Sequence, residues 1–176
     1  MKKEMIIAGF GGQGVLTLGV LIANSTVIEG KNSTWLPSYG PEMRGGTANC
    51  HVILSSEEIG SPIVNNPDIL IVFNNPSLEK FFSKLKKDGI LIYNSSLIKN
   101  EIEQKNKIGL PLVKLAKQIG TKKVINTIAL GALIQETGIV KKDSVIKSLE
   151  EKFKGKQEVI QTNKKALKLG MDYVKN

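Results

Sequence analysis

Two glycine-rich segments hold the residues whose types and spacing could do chemistry. The first is Gly9-Phe10-Gly11-Gly12-Gln13-Gly14, a G-x-G-x-x-G pattern set between a short apolar run and a longer one. The second covers residues 37–50 and reads PSYGPEMRGGTANC. Its two prolines and three glycines predict a shaped loop rather than the interior of a helix or strand. It holds Arg44, the only arginine of a chain with 24 lysines. A planar guanidinium grips a carboxylate or phosphate through two parallel bonds, which an ammonium cannot do. The plainer reading of Arg44 is a loop fastener paired with Glu42. Glycine lets backbone N–H groups approach an anion or a neighbouring chain. Gly11, Gly12, Gln13 and Gly14 of the first segment, and Arg44, Gly45 and Gly46 of the second, are therefore the candidate binding residues.

A strand-to-helix turn at residues 9–14 would bring backbone donors to a helix N-terminus, where an anion is stabilised. The rest of a dinucleotide fingerprint is missing. That fingerprint needs an acid at the end of the second strand, about 20 residues on, to hold a ribose. Glu29 falls at the end of the helix instead, and the second strand is expected to close at Leu36-Pro37 without an acid. No Lys-Ser or Lys-Thr pair follows the glycines, so the segment is not a nucleotide P-loop. A generic phosphate-binding turn and a ligand-free packing turn both remain open.

The chain has one cysteine and one histidine. They cannot form an intramolecular disulfide, an iron–sulfur cluster or a structural zinc site within it. Cys50 alternates in phase with Ala48, Val52 and Leu54, which predicts a packed thiol rather than a nucleophile. His51 lies on the opposite face with no carboxylate nearby in sequence to orient it. We therefore expect no catalytic residue and no metal ligand set in this chain. The net charge of +9 comes from lysines dispersed along the chain, and aromatics make up only 5% of it. A solvated surface fits this better than a nucleic-acid platform with interleaved stacking rings. No run approaches the ~18 apolar residues of a membrane span. The four-residue apolar run near the start is too short for a signal peptide. The expectation is a cytoplasmic protein with neither nucleic-acid nor membrane partner.

Periodicity supplies the elements that must position these segments. Strands are expected at residues 4–8, 33–36, Thr47–Ser55, 68–73, 90–93 and, briefly, 124–125. Helices are expected at Val15–Ile28, from an opening at residues 74–77 through Leu85 to a stop at Asp88-Gly89, at residues 111–119, and at 127–137 with Asn126 as its cap and Gly138 at its end. A further helix capped by Asp143 carries Ile146, Leu149 and Phe153, and the last is Gln157–Lys175. Asn163 falls in the apolar stripe of that last helix and must find a hydrogen-bond partner. Residues 95–109 give no clear signal. Strands alternating with helices imply an α/β fold: three layers, a mainly parallel sheet with helices on both faces, and a single domain over residues 1–176.

With both glycine segments in view, the chain resembles the gamma subunit of 2-oxoacid:ferredoxin oxidoreductases. The resemblance rests on Gly9-Phe10-Gly11-Gly12-Gln13-Gly14-Val15 and on Ser38-Tyr39-Gly40-Pro41-Glu42-Met43-Arg44-Gly45-Gly46-Thr47-Ala48. It continues through Ile59-Gly60-Ser61-Pro62, Pro67-Asp68-Ile69-Leu70, Asn126-Thr127-Ile128-Ala129-Leu130-Gly131, and Asn163, Ala166 and Gly170. It implies one subunit of a complex that decarboxylates a 2-oxoacid to an acyl-coenzyme A and reduces ferredoxin. In that family thiamine diphosphate, Mg and the iron–sulfur clusters sit on other subunits, and this chain alone would hold no cofactor. The implied partners are thiamine-binding alpha and beta subunits, in some complexes a ferredoxin-like delta subunit, and ferredoxin as acceptor. The gamma domain is implicated in accommodating coenzyme A, which assigns the two glycine loops an edge facing coenzyme A or a partner subunit. The resemblance implies that the 2-oxoacid is 2-oxoglutarate or a branched-chain acid such as 2-oxoisovalerate. The alternatives are a free-standing Rossmann-like NAD(P)-binding enzyme and a purely structural interaction subunit.

Overall fold

Met5, Ile6, Ile7 and Ala8 are apolar at consecutive positions, so a strand built from them must be covered on both faces. In the computed structural model, which describes residues 1–39 and 47–175, they are fully buried at the middle of β1 (Lys2–Phe10). The other strands are β2 (Asn32–Tyr39), β3 (Thr47–Ser55), β4 (Ile69–Val72), β5 (Ile90–Asn94) and β6 (Lys107–Leu110). They form one sheet in the order β2-β3-β1-β4-β5-β6. β1, β4, β5 and β6 run parallel, while β3 is antiparallel to β1 and to β2.

The helices are α1 (Val15–Ile28), α2 (Asn75–Phe81), α3 (Leu112–Ile119), α4 (Ile125–Thr137), α5 (Lys142–Lys152) and α6 (Gln157–Lys175). The larger core lies on one face of the sheet. There Met5, Ile7, Cys50, Val52 and Ile71 meet residues of α1, α3, α4, α5 and α6. On the other face Ile6, Ile53, Leu70 and Leu91 meet Leu78 and Phe81 of α2, together with Val64, Ile98 and Ile102 from loops. The three layers are thus present but lopsided.

Several details differ from the expectation, each for a physical reason. The strand expected at residues 33–36 runs on through Pro37 to Tyr39, because β2 is an edge strand and a missing N–H is tolerated there. The ends of the segment at residues 37–50 are therefore strand; its centre, with Arg44, Gly45 and Gly46, lies outside the described residues. Residues 124–125 are not a strand: a one-turn 3-10 helix (Lys122–Val124), whose N-cap Thr121 accepts a bond from the N–H of Lys123, leads straight into α4. Asn126 therefore lies inside the first turn of α4 and spends its side chain elsewhere. Asp143 sits in the first turn of α5, where it complements the helix dipole, and does not cap it. The unassigned region contains β6, whose four residues are too few for a period to be read.

α4 and α6 cross at close range because two glycines face each other's backbone. A Cβ on Gly131 would overlap the carbonyl oxygen of Leu167, and one on Gly170 would overlap that of Ile128. The same contact satisfies Asn163. Its Oδ1 accepts from the Thr127 hydroxyl at 2.6 Å and its Nδ2 donates to the Val159 carbonyl at 2.9 Å.

Candidate functional site

β1 delivers the glycine loop to the carboxyl edge of the parallel strands. From there β1 leads to α1 on one face and β4 leads to α2 on the other. The crevice between two such neighbouring strands is a topological switch point, the usual ligand position in open α/β sheets. Gly12 (φ 92°) and Gly14 (φ 75°) adopt left-handed backbone, which a side chain would strain. The loop closes with the Gln13 N–H donating to the Phe10 carbonyl at 3.2 Å.

The carbonyl oxygen of the Gln13 side chain is held within the fold. This atom, Oε1, accepts from the Phe10 N–H at 2.7 Å and from Asn74 Nδ2 at 3.2 Å. Asn74 in turn caps α2, its Oδ1 accepting from the Ser77 N–H at 2.9 Å. One amide thus ties the loop after β1 to the loop after β4 across the crevice. Asn94, at the end of β5, extends the row by donating to the Phe73 carbonyl. On the other side Asn126 Nδ2 donates to the Gly14 carbonyl at 3.3 Å. These asparagines and their bonds were not foreseen as site residues. The sequence signal for Asn74 and Asn94 was a polar side chain placed just after an apolar strand, and Asn126 was read as a helix cap. α1 starts without a side-chain cap and without an acid in its first turn, so its backbone donors meet no opposing charge of their own.

The register shows where the second segment emerges. Phe10 pairs with Thr47, and Tyr39 pairs with Ala48. The strand ends that flank residues 40–46 thus lie at the same edge of the sheet as the glycine loop. Gly11, Gly12, Gln13 and Gly14 sit at that edge, while Arg44, Gly45 and Gly46 fall outside the described residues. β2 is separated from β1 by β3 and carries no acid. A dinucleotide site needs its ribose-binding acid on a strand beside the first, so that reading loses its second requirement as well.

Cys50 is fully buried, and burial pushes its thiol up to about 12, which leaves no thiolate for nucleophilic work. His51 is half-buried; its Nδ1 accepts from the Val64 N–H at 3.0 Å. Burial, helped by the nearby Lys84 charge, holds the imidazole below its usual value. The packed position of Cys50 follows the strand phase read from the sequence, and His51 is held by its bond to Val64. Among the described residues no group of three or more His, Cys, Asp or Glu could hold a metal ion. No described helix is long and apolar enough to cross a membrane.

Comparison with known proteins agrees with this fold. Ketoisovalerate oxidoreductase subunit VorA of Methanothermobacter marburgensis is 40% identical over 172 residues, which cover 96% of this chain and 36% of that protein. The chain therefore spans about a third of the length of that relative. 2-Oxoglutarate synthase subunit KorC of the same organism is 36% identical over 94% of this chain and 100% of its own length. Among solved structures, the gamma subunit of the keto/oxoacid ferredoxin oxidoreductase from Geobacter sulfurreducens superposes with a TM-score of 0.83 at 27% identity, covering 98% of both chains. The 2-oxoglutarate:ferredoxin oxidoreductase from Magnetococcus marinus, solved with 2-oxoglutarate, coenzyme A and succinyl-CoA bound, gives 0.89 at 25% identity over 99% of this chain and 31% of that one. The family model described as pyruvate ferredoxin/flavodoxin oxidoreductase matches residues 4–173, and the chain belongs to that family.

Proposed function

We propose that this chain is the gamma subunit of a 2-oxoacid:ferredoxin oxidoreductase, and that the carboxyl edge of its sheet faces coenzyme A at the contact with a thiamine-binding subunit. The reading is carried by one observation: the uncapped, acid-free start of α1 shares a sheet edge with the strand ends that flank Arg44. That edge fits an anionic group, because the loop offers backbone donors and the helix dipole favours negative charge there. Gly11, Gly12 and Gly14 shape the turn, Gln13 holds it against Asn74, and Arg44, Gly45 and Gly46 are the ligand-facing residues the proposal takes from the second segment. The chain's own residues do not fit an iron–sulfur cluster, since its single cysteine is buried as a neutral thiol. Those groups belong to partner chains, and this subunit works by binding and orienting. The relatives support a branched-chain 2-oxoacid or 2-oxoglutarate as the substrate class.

The test is to purify the native complex through a tag on this chain and compare wild type with Arg44→Lys. Co-purification of cysteine-rich and thiamine-binding chains is expected. The isolated subunit is expected to be colourless and inactive with 2-oxoacids. Arg44→Lys should assemble yet raise the KM for coenzyme A by about tenfold, the scale of one lost bidentate charged contact. An unchanged KM for both coenzyme A and 2-oxoacid, with unchanged assembly, would reduce Arg44 to a loop fastener.

A further inference from the structure

β2 forms one edge of the sheet, and the bonding of its neighbours shows which of its residues face outward. On β1 the Ala8 carbonyl accepts from the Phe73 N–H, and Glu4 bonds Asp68, so even-numbered residues of β1 face β4 and odd-numbered ones face β3. Carried through the two antiparallel registers, this turns the even residues of β2 toward β3 and the odd ones, Ser33, Trp35, Pro37 and Tyr39, to the outside. Their backbone groups have no strand partner among the described residues, and Pro37 offers only an acceptor. Trp35 and Leu36 are each 37% exposed on opposite faces of this edge, with Trp35 packed against Gly19 of α1.

Proteins blunt such edges with short strands, lysines or covering elements. The other edge of this sheet is blunted: β6 has four residues, starts with Lys107, and its Gly109 carbonyl accepts from the Tyr173 hydroxyl of α6. β2 has eight residues and no charge, in a chain that is 23% charged with a net charge of +9. α1, which lies against β2, carries no charge either, and Glu29 and Lys31 between them pair with each other at 2.9 Å. An acidic partner finds no cation to read on this strand. Two copies of so basic a chain can meet here without setting lysine against lysine.

We propose that β2 pairs antiparallel with β2 of a second copy about a two-fold axis at Leu36, joining the two sheets edge to edge. Pro37 selects this register. An axis at Pro37 sets two rings, each without a donor, against one another. An axis at Leu36 sets Trp35 opposite Pro37 of the copy, and Ser33 opposite Tyr39. Every outward N–H, on Ser33, Trp35 and Tyr39, then meets a carbonyl of the copy. On one face each indole lies beside a proline ring, and on the other the two Leu36 side chains meet. Both exposed apolar residues of β2 are covered by the same strand that exposes them, as a self-complementary interface requires.

Sedimentation velocity on the full chain from about 5 to 500 µM tests this, a range suited to a small interface. A reversible monomer–dimer equilibrium is expected. Raising NaCl from about 0.05 to 0.5 M should tighten it severalfold, because salt screens the repulsion between two basic copies and leaves the uncharged contact intact. Leu36→Lys should weaken it about tenfold or more by setting two ammoniums across the axis, with the fold checked by circular dichroism. Cross-linking under mild oxidation reads the register and does not depend on that variant. Leu36→Cys places two thiols at a non-hydrogen-bonded pair, where Cα atoms lie about 4.5 Å apart, within disulfide range. Ser38→Cys sets each thiol opposite Thr34 of the copy, four residues or about 13 Å along the strand from its equivalent. Cys50 is buried and adds no background. A disulfide dimer from Leu36→Cys and none from Ser38→Cys is expected. A chain monomeric throughout the range, a dimer weakened by salt or untouched by Leu36→Lys, or cross-linking that is absent at Leu36→Cys or equal in both variants would each overturn the proposal. A monomeric free chain whose amides at residues 33–39 slow only in the purified complex would overturn it too, and would give the edge to a strand of another subunit. The sedimentation and cross-linking readouts involve neither ferredoxin nor coenzyme A, so failure here leaves the assignment as a gamma subunit standing.

Discussion

Cys50 and His51 are neighbours on β3 that face opposite cores, and each makes a separate prediction. The Cys50 thiol sits against α1, 3.7 Å from the Val15 carbonyl, and stays neutral at physiological pH. Alkylation by iodoacetamide at neutral pH should therefore be negligible in the native chain and complete after denaturation, read by mass increase. Fast labelling of the folded chain would mean that α1 lifts from the sheet. His51 works through its lone pair, because protonating Nδ1 removes the acceptor that holds the Val64 N–H. Its folded pKa lies below the usual 6.5, so the unfolded chain takes up the proton first. Stability is then full above about pH 6.5 and declines as pH falls from there to the depressed folded value. Denaturant midpoints measured across that window should fall for wild type, and His51→Gln should flatten this part of the profile. An equal fall in both would place the pH sensitivity on other groups.

At the scale of elements, the sharpest constraint is the crossing of α4 and α6. Gly→Ala in a helix interior ordinarily gains about 1 kcal/mol from propensity. At Gly131 and Gly170 the added methyl meets a backbone carbonyl that cannot move without displacing its helix. Overlap wins, and each substitution should cost about 1–3 kcal/mol net in urea unfolding. Gly60→Ala is the control, since nothing lies within 4 Å of its Cβ position and its φ is not positive; its midpoint should hardly move. Gly131, small like its neighbours Ala129 and Ala132, was legible as a place where backbones could approach, Gly170 only as a member of the apolar stripe of the last helix, and the observed limits of α1 and α6 match the expected ranges. What could not be read were the features set by tertiary context. Pro37 looked like a strand end because whether β2 is an edge depends on pairing. Asn126 looked like a cap because its partner, Gly14, lies 112 residues away. The glycine loop was legible as a turn, but Gln13 as a tie to Asn74 was not, since 61 residues separate them.

At the scale of the molecule, the sheet has two unlike ends. The carboxyl edge gathers the glycine loop, the Asn74 tie and the strand ends flanking Arg44. At the opposite end, beside an open cavity of about 520 Å³, the carboxylate finds its partners within the chain: Asp68 accepts from the Glu4 N–H and pairs with Lys86 at 2.9 Å, near Gly89 and Gly138. Burial works to raise the Asp68 carboxyl, but Lys86 and the Glu4 N–H outweigh it and hold the group ionised below its usual range. A self-satisfied end has less to gain from a partner than an edge of uncapped donors, so assembly should be polarised. Amide hydrogen exchange on the free chain and on the purified complex can read this directly. Amides of residues 10–17 and 74–78 should slow on assembly, and some should slow further when coenzyme A is added. Amides of residues 86–90 and 136–140 should exchange alike in both states. The order matters, because slowing at residues 10–17 only with coenzyme A would make the loop a ligand contact and not a subunit contact. Slowing at residues 86–90 instead would turn the subunit end for end and remove the glycine loop from the interface.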